Sequence, residues 1–146
     1  MAIYGILTLG NEVLREKSVE VKHVDETICR LLDNMKDTMY DSNGVGLAAP
    51  QIGVLKRVII VDIDNHLIEL VNPVLLQGSG KQVSNEACLS VPNIEVPVER
   101  YKTVLVKGYN RNGKTLQVKA SGLLSIALQH EMDHLDGVLI VDRAKE

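Results

Sequence analysis

The chain has 146 residues, 45% hydrophobic and 24% charged, which suits one domain with its own core and argues against a disordered chain. A net charge of −3 with no dense Lys/Arg cluster argues against nucleic acid as a primary partner, and no apolar run approaches the ~18 residues of a membrane span. Two cysteines, Cys29 and Cys88, make no disulfide framework, and the first residues read as neither signal nor transit peptide, so a reducing cytoplasm is the expected location.

Residues 25–41, "DETICRLLDNMKDTMYD", predict a helix. Ile28, Leu31, Leu32, Met35 and Met39 recur at three- and four-residue steps, and Asp25 is placed to cap the first turn. Cys29 sits on that helix and reads as a small buried hydrophobe. Two β-rich stretches follow, 56–63 and 67–76, around the turn residues Asp64 and Asn65. "TVLVKGY" (103–109) and "KTLQVKA" (114–120) flank "NRNG", predicting a hairpin with Gly113 free to take positive φ. A second helix is expected from near Ser121 to near Gly137. "NGVGLAAPQIG" and "NEACLSVPN" read as loops of unusually specific composition. The expected fold class is α+β, with antiparallel sheets packed around a late helix, in one domain over residues 1–146.

That late helix carries "QHEMDH", hence His-Glu-x-x-His. Four residues apart on a helix, His130 and His134 project from one face and can reach one ion. Glu131 lies beside the ion without ligating it, as a general base would. A metalloprotease of the metzincin type would carry a further histidine downstream, but Ile140 occupies that position. Asp142 is a possible ligand, placed at the end of a terminal strand. His23 and His66 lie in ordinary surface turns. Cys88 stands as the candidate third ligand, against the plainer reading of a buried, inert cysteine.

Taken together and in order, "GVGLAAPQ", "EACLS" and "QHEMDH" resemble the three signature motifs of the peptide deformylases. The resemblance runs from about Leu14–Arg15 onward. It implies a metal-dependent hydrolase that removes the formyl group from the N-terminal formyl-methionine of nascent polypeptides. It also implies Cys88, His130 and His134 as metal ligands and Glu131 as the residue that takes and returns protons. Gln51 and the backbone N–H of Leu89 would donate to the developing oxyanion, and Val45 and Gly46 would meet the substrate backbone. Leu123, Ile126 and Ala127 share the His130 face and, with Val45, could line an apolar slot for methionine; the plainer reading makes them core residues.

The second motif departs from the family pattern at Ala87, where glycine is usual; a positive φ there would strain alanine by roughly 1 kcal/mol. Thiolate and imidazole suit one divalent ion, Fe²⁺, Zn²⁺, Ni²⁺ or Co²⁺, and the resemblance points to Fe²⁺ in cells. A monomer is expected, with N-formyl-Met nascent peptides as partners and transient ribosome contact. The long C-terminal helix of some relatives does not follow Gly137, which puts stable ribosome docking in doubt. The alternative is another small metallo-amidase or metallopeptidase.

Overall fold

The structure is a computed structural model and describes residues 3–144. Helix α1 (Glu26–Asp41) is capped by Asp25, whose carboxylate accepts the Ile28 amide at 3.1 Å. Its inner face buries Ile28, Leu32, Met35 and Met39, as the spacing predicts, while Leu31 is half-buried. Then come β1 (Gly46–Ala48), β2 (Val58–Ile63), β3 (His66–Ser79), β4 (Gln82–Cys88), β5 (Val91–Arg100), β6 (Thr103–Tyr109), β7 (Thr115–Ser121) and α2 (Gly122–Leu135).

Five strands form one antiparallel sheet in the order β1-β2-β3-β6-β7, and β4 pairs with β5 in a separate hairpin. The helices sandwich the larger sheet. Val58 and Ile60 pack against the α1 residues Leu32 and Met35. Ile59 and Val61 point the other way, into a cluster with Leu128 and Leu135 of α2. Successive strand side chains alternate faces, so covering both faces requires the unbroken apolar run "VIIV". Asp64 and Asn65 both take positive φ in the β2–β3 turn, and Gly113 does so after β6. β3 shifts register against β6 twice, and its second half no longer faces β2.

Cys88 does not lie in a loop; it closes β4. β5 was not anticipated, because Pro92 and Pro97 speak against a strand. A two-stranded hairpin tolerates them, since each strand has an edge that needs no amide donor. The glycine-rich stretch is no loop either, but the short strand β1 followed by a 3-10 turn, Ala49–Ile52. Asp142 ends a 3-10 turn, Ile140–Asp142, rather than a strand, and pairs with Arg15. Cys29 is half-buried, its thiol donating to the Arg111 carbonyl at 3.3 Å. His23 and His66 are exposed. Ala87 is exposed and absent from the residues with positive φ, so replacing the usual glycine costs no backbone strain.

Candidate metal centre

The hairpin β4–β5 lies against α2, and the candidate site forms where they meet. Strand alternation turns Glu86 and Cys88 inward and Ala87 outward. On α2, His130 and His134 face the same side one turn apart, with ring centroids 5.2 Å apart. Cys88 Sγ and one nitrogen of each imidazole all lie within 4.8 Å of one another, and Sγ is 3.3 Å from Nε2 of His134. His130 donates Nδ1–H to Glu86 Oε1 at 3.0 Å, which leaves Nε2 for a ligand. Asp142 lies outside this cluster.

The donor set fits a divalent cation. One thiol and two imidazoles match a three-ligand catalytic site that keeps a fourth position open. The electrostatics agree. Burial disfavours a charged His130, but the carboxylates of Glu131 and Glu86 and the Cys88 thiol outweigh it and hold the proton up to about 10. Surroundings that favour a proton so strongly favour a metal cation in its place. Burial, then the His130 charge, drives His134 down to about 3, so its ring is neutral and able to ligate. Burial raises Glu131 to about 7. Its Oε1 is buried with no hydrogen-bond partner among the described residues, which is costly unless a ligand or water meets it.

A cleft of about 370 Å³ opens over these groups, lined among others by Val45, Gly46, Gln51, Leu89, Leu123, Ile126, Ala127 and Glu131. Cys88 and His130 line it too, while His134 lies buried behind them. Leu123 and Val45 are exposed at its rim, 59% and 53%. Ala127 is buried, lines this cleft and also belongs to the core cluster with Leu128. Gln51 is fully buried; its Oε1 accepts the Ala48 amide at 2.9 Å, which turns Nε2 toward Ser90 Oγ and Cys88 Sγ.

The polypeptide deformylase family model matches residues 3–146. The chain belongs to the peptide deformylase family. It is 52% identical to the peptide deformylase of Desulfitobacterium hafniense over 146 residues, covering 100% of this chain and 97% of that one. The crystal structure of the Thermotoga maritima peptide deformylase superposes with a TM-score of 0.97 at 38% identity, covering both chains fully. The Met-Ala-Ser-bound enzyme of Acinetobacter baumannii gives a TM-score of 0.94 at 33% identity, covering 97% of this chain and 98% of that one. Peptide deformylases are metalloenzymes that remove the N-formyl group from nascent peptides, and the Cys88–His130–His134 group of this chain could hold a metal ion.

Three residues to which the sequence motifs assign no role hold these groups in place. Glu86 holds His130, Ser90 holds Gln51, and Arg100 holds Glu86. Glu86 and Ser90 flank Cys88 at two-residue steps, so assigning a strand there would have placed all three on one inward face. Nothing local in the sequence marks Arg100.

Proposed function

We propose that Cys88, His130 and His134 hold the metal, that Glu131 moves the protons, and that Gln51 and the Leu89 N–H receive the developing negative charge. A bound divalent ion would lower the pKa of water and polarise the formyl oxygen. Glu131, with its carboxyl pushed up to about 7, is matched to accept a proton near neutrality and return it to the leaving nitrogen. A C–O bond forms at the formyl carbon and its C–N bond breaks, giving formate and a free N-terminal amine. Nε2 of Gln51 faces the same cavity, and each such donor is worth about 3 kcal/mol of barrier. Val45 and Gly46 would meet the peptide backbone, while Leu123, Ile126 and Ala127 would receive the methionine side chain. The Met-Ala-Ser ligand of the Acinetobacter relative supports a methionine-first peptide in this cleft.

The single observation that carries this reading is the buried Glu131 Oε1, without a hydrogen-bond partner among the described residues, beside a converging thiol and imidazole pair. We take the ion in cells to be Fe²⁺, with Zn²⁺, Ni²⁺ or Co²⁺ able to substitute. The protein is proposed to act as a monomer, residues 1–146 forming one catalytic domain in a bacterial cytoplasm, with transient ribosome contact. The net charge of −3 supports the absence of direct nucleic-acid binding. No helix among the described residues is long and apolar enough to cross a membrane.

The test is formate release from formyl-Met peptides with defined metals and anaerobically prepared protein. Fe²⁺ protein should turn over fastest, and Glu131→Ala should bind metal without turnover. Normal turnover by Glu131→Ala would remove Glu131 from the mechanism. Cleavage of internal peptide bonds without formate release would favour a metallopeptidase.

A further inference from the structure

Arg100 closes β5 and is only 5% exposed, which is rare for arginine without dedicated partners. Its partners come from two different elements. Nε and Nη2 fork onto the two carboxylate oxygens of Glu86 at 2.9 and 2.8 Å. Nη1 donates to Oδ2 of Asp133 at 2.5 Å. Glu86 stands two residues before Cys88 on β4 and accepts from His130. Asp133 stands three residues after His130 on α2. One guanidinium therefore grips the strand that carries the thiol and the helix that carries both imidazoles. From outside, Arg143 closes on Asp133 with Nε and Nη2 at 2.6 and 2.9 Å, so two cations balance the two carboxylates.

We propose that Arg100 is a positioning residue for the metal centre. Through Glu86 and Asp133 it fixes the separation of β4 from α2 and the orientation of the His130 ring. The inference rests on reading Cys88, His130 and His134 as the ligands. A planar fork with a spare donor is required, because the three contacts lie on two carboxylates in different directions. Lysine offers a single point charge and cannot reproduce them.

Cobalt supplies the probe, since its visible absorption reports ligand geometry. The full chain is loaded with Co²⁺, and its release to excess chelator is followed. Arg100→Lys and Glu86→Gln should release Co²⁺ about tenfold faster or more and shift the absorption bands. Arg111→Lys is the control. Arg111 makes the same kind of fork, to Glu69 at 2.8 and 2.7 Å with Asp33 as second partner, away from the site. Its loss should lower melting temperature and leave release at the parent rate. Parent-like release from Arg100→Lys and Glu86→Gln, or equal acceleration by Arg111→Lys, would overturn the proposal. If Arg100→Lys does not fold, Glu86→Gln decides in the same way. Failure of the parent chain to bind Co²⁺ would instead sink the ligand assignment.

Discussion

Oε1 of Gln51 accepts the amide of Ala48, and this one bond decides which way the Gln51 side chain presents itself. With the oxygen occupied, the amide nitrogen faces Ser90 Oγ at 3.0 Å and Cys88 Sγ at 3.8 Å. Ser90 is fully buried, so its hydroxyl has little freedom to move elsewhere. Gln51→Leu should lose about 10²–10³ in kcat, the usual cost of one oxyanion donor. Ser90→Ala keeps the amide but removes the anchor that steadies it. A loss of about tenfold in kcat is expected, with stability lowered by about 1 kcal/mol. Steady-state deformylation kinetics and a denaturant titration check both; parent-like kcat in Ser90→Ala would show that Ala48 alone orients the amide.

Gly46 is needed for its lack of a side chain rather than for its backbone angles. A Cβ built there would meet Oε2 of Glu131 at 2.5 Å and its Cδ at 3.0 Å. Gly46→Ala should therefore push the Glu131 carboxylate off its place. We expect kcat to fall at least a hundredfold if Glu131 is the proton carrier, the range general acid–base catalysis supplies. The melting curve should stay cooperative, because Gly46 does not take positive φ. Measuring turnover beside melting separates a displaced carboxylate from a broken fold.

Tyr40 gives a titration readable without touching the site. Its hydroxyl donates to Asp62, and this bond, then burial and the Asp62 charge, push the phenol up to about 12. A pKa raised in the folded state adds stability that is complete below the unfolded value of about 10 and vanishes as pH rises through about 12. The stability gap between the parent and Tyr40→Phe should therefore close across that window. Ultraviolet absorbance should show one phenol ionising above the usual range, lost in Tyr40→Phe. A parent titration matching that of Tyr40→Phe plus one ordinary phenol would remove the Asp62 bond as its cause.

Sequence patterning reached some parts of this molecule and missed others for identifiable reasons. α1 was legible because Asp25 and the Ile28–Met39 spacing are local signals, read within one or two helical turns. The same holds for His130 and His134, whose geometry follows from helix pitch alone. The β4–β5 hairpin was not legible. In β4 the buried positions are Glu86 and Cys88, and in β5 Arg100 ends a buried face that also holds Val91 and Val98, so polar groups interrupt the apolar pattern of both strands. Its prolines argue the wrong way. Glu86 and Arg100 face inward toward His130 and Asp133 of α2, contacts across the fold that no local pattern in the sequence announces. Gln51 was identifiable by resemblance, but its direction depends on Ser90 and Ala48, a contact set by the tertiary fold.

The double register shift in β3 has a consequence for handling the protein. After Val71 the strand keeps β6 on one side, while among the described residues no strand pairs with its other edge. That edge carries Val74, Leu75 and Leu76, each exposed by 38% or more. Such an edge is a template for pairing with a second chain, and Pro73 at its start is the kind of residue that blunts it. Self-association at high concentration should begin there rather than at the catalytic cleft. A lysine at Leu76 would then raise solubility while leaving deformylation intact.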